Sequence, residues 1–313
     1  MNLRTVEEYR VMMADRDRMR IYQNAIRKHC PGQVVCEIGV GLAPLTLMAL
    51  EAGAKRVYGI EALKPVLETA TRIVRAAGYG PDRFVPLAGM SYEVELPERV
   101  DVVVSETLDS VGLGENTVAC MSDVADRFLK PGGTMLPSHL GCAMALATPA
   151  AYDVDQRFWR ETMKDDYGLD YASFADELSL LEYTLPIAPD EVKSEWATWQ
   201  EVDLANPKSM AKNSGVLLEV RRAGRITGLA TAFVAVIGDG MLDTFPGRSD
   251  THWQQGFLPM AQPIDAVEGD LIAVSLTVPE HRALTLRMRR QILHVPAAHA
   301  AAFRRQVEQA LSA

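Results

Sequence analysis

Several kinds of chemistry are missing from the sequence. Its four cysteines, Cys30, Cys36, Cys120 and Cys142, are scattered, with no CxxC pair and no disulfide-like spacing. The six histidines are dispersed as well, so no metal site is visible. Both absences favour a reducing, cytoplasmic setting. No apolar run approaches the roughly 18 residues that suggest a membrane span. The opening MNLRTVEEYR has no apolar signal core, so neither export nor membrane attachment is expected. Basic residues are in the minority, 32 against 41 acidic ones, for a formal net charge of −9. That balance argues against generic nucleic-acid binding, which needs a basic footprint, and is compatible with a cationic ligand.

What is present is a soluble globular pattern. Length 313 with 48% hydrophobic and 23% charged residues allows one large or two ordinary cored domains. The first thirty residues read as helix until Pro31-Gly32 breaks the pattern. Strand-like and helix-like stretches then alternate. QVVCEIG, RVYGIE, RFVPLAG and VDVVVSE read as strands; APLTLMALEAG, LKPVLETATRIVRAAG and ENTVACMSDVADRFL read as helices, the last stopped by KPGG. This β-α-β order predicts a parallel sheet with helices on both faces. Beyond Pro137 the pattern changes. A charged, partly helical stretch leads into SGVLLEVRRAGRITGLATAFVAVIGDG and DLIAVSLTVPEHRALTLRMRR, which read as antiparallel hairpins of a barrel or sandwich. PAAHAAAFRRQVEQALSA predicts a closing helix.

Chemistry concentrates at strand ends. In EIGVGLAPL, Glu37 ends a strand, and Gly39 and Gly41 turn the chain into a helix where a backbone can approach a ligand closely. Glu61 ends the next strand, 22 positions beyond Gly39, a placement suited to a carboxylate bonding ribose hydroxyls. The third glycine of GxGxxG is missing, since Ala43 and Pro44 stand there. A nucleoside without a pyrophosphate therefore suits the turn better than NAD does. S-adenosylmethionine meets that condition, with Arg18 available for its carboxylate and Glu37 for its ammonium. After the fourth strand comes SETLDSVGLGE, with Glu106 and Glu115 nine positions apart around two glycines. Such a loop can turn both acids to one spot. Paired carboxylates repel unless a cation lies between them, and a guanidinium is a planar cation with a matching fork of donors.

These stretches resemble the protein arginine methyltransferase family along nearly the whole chain, from about Tyr9 to Arg290. SETLDSVGLGE resembles the family's double-glutamate loop, VVCEIGVGLAPLTLMALEAGAKRVYGIE its cofactor motif, THWQQGFLP its histidine-bearing loop and MMADRDRMRIYQNAI the helix over the cofactor. The resemblance implies an α/β Rossmann-like methyltransferase domain over 1–137. It implies a mainly antiparallel β-barrel domain over 138–313, with a helical dimerisation arm at about 152–204 and a C-terminal helix as an addition. It further implies S-adenosyl-L-methionine as cofactor, held by Arg18, Glu37, Gly39, Gly41, Glu61 and Tyr92. Catalysis falls to Glu106, Glu115, His252 and Asp15, and substrate contact to Glu106, Glu115 and Trp253. Asp15 would pair with His252, and the proton would leave through Glu115 or through His252 with Asp15. A homodimer is implied.

Departures from the family pattern bear on the acceptor. Only about ten residues precede MMAD, where the family carries an aromatic-rich helix, so the site is expected to be more open or closed by something else. No large apolar residue follows Glu106, and Tyr92 replaces a common acid. The layout resembles bacterial natural-product members that methylate free L-arginine, which is the expected acceptor. The alternatives are an arginine in a protein or peptide, another small-molecule N-methylation, and an inactive scaffold.

Overall fold

The protein is described by a computed structural model covering residues 3–206, 210–248, 251–278 and 289–312. Two helices open the chain, α1 (Leu3–Ala14) and α2 (Arg16–His29). One continuous helix was expected; Asp15 divides it. Asp15 has extended backbone angles, and its side chain accepts from the Arg18 N–H, which makes it the N-cap of α2.

The parallel sheet follows the sequence pattern closely. Its strands are β1 (Val34–Ile38), β2 (Arg56–Glu61), β3 (Phe84–Ala88), β4 (Val100–Ser105) and β5 (Leu129–Leu136), in spatial order β3-β2-β1-β4-β5. Helices α3 (Pro44–Glu51), α4 (Lys64–Ala76) and α5 (Thr117–Arg127) connect them. All five residues of β1 are buried, as a central strand covered on both faces requires. The chain runs outward from β1 in both directions, to β2 on one side and β4 on the other. The crevice at the carboxyl ends of β1 and β4 is where ligands bind in such sheets. One strand was missed. LKPGGTML reads as a helix stop, yet it pairs with β4, with a register shift that absorbs the proline and glycines.

The second half holds two antiparallel sheets. One has the order β7-β12-β10-β6-β8, with β11 on β10; the other has the order β14-β13-β9. Their strands are β6 (His139–Ala147), β7 (Tyr183–Leu185), β8 (Ala197–Asp203), β9 (Asn213–Glu219), β10 (Gly224–Ile237), β11 (Gly240–Asp243), β12 (Gln255–Ala266), β13 (Leu271–Thr277) and β14 (Arg289–Val295). Part of the hairpin expected around 279–288 lies outside the described residues. Between β6 and β7 stand α6 (Ala150–Arg157), a wider helical turn at Phe158–Thr162, α7 (Met163–Tyr167) and α8 (Ala172–Leu178). The helical arm is therefore shorter than 152–204. Residues 183–185 and 197–203 are strands because β12 and β6 offer them hydrogen-bonding edges. The closing helix α9 (Ala297–Ser312) is tied to the smaller sheet by an Arg304–Glu219 ion pair.

One buried apolar cluster runs from Val35 and Val103 of the parallel sheet through Phe233 and Trp253 to Ile272 of the smaller sheet. Among the described residues, no helix is long and apolar enough to cross a membrane, and no cluster of three or more potential ligands could hold a metal ion.

Candidate active site

The site forms at the crevice between β1 and β4. The turn after β1 is built by Gly39 and Gly41, both left-handed. A Cβ on Gly39 would come within 2.5 Å of the Thr107 methyl, and one on Gly41 within 2.9 Å of the Tyr9 ring. Tyr9 comes from α1. Its ring lies against the glycine turn. Sequence reading missed this residue; its signal was one aromatic among the charges Glu7, Glu8 and Arg10. Tyr9 is pushed up to about 12, by burial and then by the charges of Glu61, Glu115 and Glu8. Its hydroxyl thus lies in the field of acids from both ends of the site.

Glu61 ends β2, and both of its oxygens are engaged: Oε2 accepts from Gly41 N–H at 3.0 Å and Oε1 from Leu63 N–H at 2.9 Å. The acid therefore holds the glycine turn as well as standing beside it. Glu37 is buried at the end of β1. Its Oε2 accepts from the Thr46 hydroxyl, while Oε1 is buried without a partner. Burial pushes Glu37 up to about 8, against the opposing Thr46 hydrogen bond. An orphaned buried carboxylate oxygen suits a ligand with a cationic group. Tyr92 lies in a short helical turn after β3 and packs partly buried against the core.

Glu106 follows β4 directly. Arg18 donates Nε to its Oε2 at 2.7 Å, and Nη2 to the same oxygen. The two side chains are 6% and 5% exposed, so this is a buried ion pair. Sequence reading assigned Arg18 to a cofactor carboxylate; here its fork is spent on Glu106. The other oxygen, Oε1, accepts only a long 3.3 Å bond from Leu108 N–H. Tyr22 of α2 donates to Ser105 O at 2.8 Å, which fixes the helix against the strand end that presents Glu106.

The loop then folds around Asp109, which the sequence reading passed over. One oxygen of Asp109 accepts from the N–H groups of Val111 (3.1 Å), Gly112 (2.7 Å) and Gly114 (3.0 Å). An aspartate ahead of closely spaced glycines is the sequence signal for such a turn. Gly112 is left-handed, and a Cβ there would meet Cβ of Phe233 at 2.8 Å. Glu115 and Asn116 are both left-handed non-glycine residues, a conformation that costs about 1–3 kcal/mol each and recurs at functional sites. The loop thus brings Glu115 back among the other acids. Its carboxyl is raised by desolvation within the loop and then by Glu106, Asp109 and Glu61.

The remaining expected residues come from the second half. His252 gives Asp15 Oδ2 two contacts, from its backbone N–H at 3.0 Å and its Nδ1 at 2.9 Å. Asp15 Oδ1 accepts from Arg18 N–H at 2.9 Å. One carboxylate therefore joins His252 to the residue that pairs with Glu106. Burial raises Asp15, but the hydrogen bonds from His252 and Arg18 outweigh it, and the carboxyl lies below its usual range. Trp253 was expected at the substrate. It is buried, its ring stacks edge-on to Phe233, and its indole N–H donates to Leu108 O at 2.5 Å. Its contact is with the backbone of the acidic loop.

No protein-family model matches the chain. Individual proteins do. A probable protein arginine N-methyltransferase 6 of Arabidopsis thaliana is 27% identical over 330 residues, covering 87% of this chain and 72% of that protein. Protein arginine N-methyltransferase 6 of Danio rerio is 28% identical over 264 residues, covering 80% and 74%. Among solved structures, Arabidopsis thaliana protein arginine methyltransferase 10 superposes with a TM-score of 0.73 at 24% identity, covering 93% of both chains. The Trypanosoma brucei PRMT1 enzyme-prozyme heterotetrameric complex with AdoHcy gives 0.74 at 21%, covering 92% and 97%. The fold of this chain, a parallel Rossmann-like sheet followed by antiparallel sheets, is the fold of those structures.

Proposed function

We propose that this chain is an S-adenosylmethionine-dependent methyltransferase acting on a guanidino nitrogen of arginine within a protein or peptide. The observation that carries the reading is the gathering of Glu106 and Glu115 at the switch-point crevice, close enough for the charge of Glu106 to raise Glu115. A carboxyl raised by a second carboxylate beside it in a partly desolvated loop makes a pair complementary to a single planar cation. Relatives named as protein arginine N-methyltransferases over four-fifths or more of the chain support the activity. They favour the polypeptide acceptor over free L-arginine.

Arginine is a poor nucleophile because its charge is spread over three nitrogens and its pKa exceeds 12. Glu106, already oriented by Arg18, offers Oε1 to one edge of the guanidinium; Glu115 takes the other. Together they localise positive charge away from the nitrogen to be methylated and fix its direction. Glu115 accepts the proton released, since a carboxyl raised by its surroundings is the stronger base. His252 and Asp15 position this machinery: Asp15 anchors the first turn of α2, and with it Arg18. Trp253 and Asp109 hold the loop's backbone.

A bound S-adenosylmethionine supplies an electrophilic methyl on a sulfonium. Gly39, Gly41 and Glu61 would hold its nucleoside, Glu37 its ammonium and Arg18 its carboxylate, with Tyr9 over the turn and Tyr92 alongside. Arg18 would do so while sharing its fork with Glu106. A homodimer through the arm completes the reading. Phe158, Tyr167, Leu169 and Phe174 are large apolar residues left exposed along this short stretch, more than a solvated helix pair needs.

The test is transfer of labelled methyl from S-adenosylmethionine to an arginine-bearing peptide, to the same peptide with lysine in place of arginine, and to free L-arginine. Arginine-dependent label in the peptide, with a 14 Da gain located by mass spectrometry, is expected. No arginine-dependent label in any acceptor refutes the activity; label in free arginine alone restores the amino-acid acceptor.

A further inference from the structure

A cavity of about 1130 Å³ opens between the end of the arm, strand β12 and strand β14. Its wall is largely apolar, with Leu180 from the arm, Met260 and Ile264 from β12 and Ile292 from β14. Two charged residues interrupt that wall, Glu182 and Arg290. Drug-sized ligands occupy pockets of roughly 300–1,000 Å³, so a single amino acid would leave most of this space unfilled.

The chain that leaves the cavity at Glu182 touches the acidic loop two residues on. The Thr184 hydroxyl of β7 lies 3.0 Å from that of Ser110. Glu182 is two residues back, roughly 7 Å along an extended chain, and the charge of Asp109 acts on it.

The backbone around the cavity is open as well. The register between β10 and β12 jumps from Gly228↔Pro259 to Ile226↔Ile264, so Met260–Pro263 bulge away from β10. β7 covers β12 only from Gln255 to Phe257. Among the described residues, no strand pairs with the rest of that edge or with the outer edge of β14. The Arg290 side chain bridges the seam, donating to Pro259 O at 3.0 Å.

Glu182 has the charge of Arg290 in the same wall but, among the described residues, no hydrogen-bonded partner. Desolvation in the cavity, then Asp109, pushes it up to about 7, with Arg290 pulling it down.

We propose that this cavity holds the stretch of substrate polypeptide beside the target arginine, pairing a lysine or arginine of that stretch with Glu182 and seating an apolar residue against Leu180, Met260 and Ile292. The identity of the occupant rests on the arginine-methyltransferase reading. The seam accommodates extended chain, the apolar wall gives it contact area, and Glu182 selects a flanking cation. Acceptors are then chosen by what surrounds the arginine as well as by the arginine itself.

The test uses the full-length protein and a short fluorescein-labelled peptide with one arginine, a lysine a few residues away and an apolar residue between them. Glu182→Gln is expected to weaken binding about tenfold, the lower end for losing a charged hydrogen bond. The KM of that peptide should rise by a similar factor, and much more than the KM of N-acetyl-arginine amide. Changing the peptide's lysine to alanine should remove the difference between wild type and variant. Leu180→Asp, at an exposed position, is a second variant with the same expectation. Equal peptide affinity in wild type and both variants overturns the proposal, as does an equal KM change for peptide and amide. A wild-type protein that methylates arginine but binds no peptide overturns the cavity assignment and leaves the activity standing. Glu182-dependent peptide binding without methyl transfer to any acceptor does the reverse. Variants that lose self-association in sedimentation while binding peptide normally would make the cavity an interface between copies and overturn the proposal.

Discussion

The two glutamates of the loop are expected to respond oppositely when their charge is removed. In Glu106→Gln the shape stays, but the Arg18 guanidinium loses its anion while remaining buried; the pair is 6% and 5% exposed. Breaking one side of a buried pair costs about 3–5 kcal/mol, mostly because the surviving charge is stranded. Glu115 is the contrary case. Its carboxyl is raised by desolvation and by Glu106, Asp109 and Glu61, so the folded state holds its proton more tightly than the unfolded chain does. A raised group contributes stability below its unfolded pKa and loses it as pH rises through the folded value. Ionising Glu115 in the folded state therefore costs stability as pH rises, and Glu115→Gln should be neutral or stabilising at alkaline pH. Urea unfolding of the two variants at pH 8 should give a lower midpoint for Glu106→Gln and an equal or higher one for Glu115→Gln. Both should nearly abolish methyl transfer. Calorimetry should show that neither loses S-adenosylmethionine affinity, since Arg18 is freed in one and untouched in the other. Equal destabilisation of the two, or near-wild-type turnover in either, would refute the division of labour between an anchored and a repelled carboxylate.

Asp15→Ala removes the cap of α2 and both His252 contacts; a loss of about 2–4 kcal/mol is expected by denaturation, and less than 1 kcal/mol would show that the link carries little. Because the Asp15 carboxyl is depressed, its contribution should be present above the ordinary aspartate range and fade as pH falls through the folded value, a slope absent in the variant. Glu37, pushed up to about 8, should make the protein lose stability between the ordinary glutamate range and pH 8, by at most about 1.4 kcal/mol per pH unit; Glu37→Gln should flatten that slope, and an unchanged slope would mean that the carboxyl ionises freely. Glu61→Ala should cost S-adenosylmethionine about 1.5–3 kcal/mol in calorimetry by removing a charged acceptor and loosening the Gly41 turn; unchanged affinity would sink its assignment.

The parallel sheet was legible because buried strands such as VVCEI and helices such as KPVLETATRIVRA carry periodic signals that need no tertiary information. The strand LKPGGTML was not, since local turn chemistry and the tertiary edge of β4 compete there, and the edge won. The strands at 183–185 and 197–203 were not legible for the same reason: nothing local to them says that a sheet edge is waiting. At the site, the acids and glycines were legible as residue types at strand ends. Their partners were legible only in part. The pairing of Asp15 with His252, 237 positions apart, was what the resemblance implied; the pairing of Arg18 with Glu106, 88 positions apart, was not, and only the folded chain shows it. Trp253 was placed at the substrate by the resemblance alone; its bond to Leu108 O lies 145 positions away and carries no local signal.

The close approach of Gly112 to Phe233 and the hold of Trp253 on Leu108 bear on how this chain could be recombined. Both contacts join the acidic loop of the parallel half to side chains of the antiparallel half. A chimera spliced between β5 and β6, where the parallel sheet gives way to the antiparallel ones, would take Glu106 and Glu115 from one parent and the residues that shape their loop from the other. A donor half with a bulkier residue at 233, or none to bond Leu108 at 253, would deliver intact acids on a misdirected backbone. Gly112, Phe233 and Trp253 therefore form a matched set that must be inherited together.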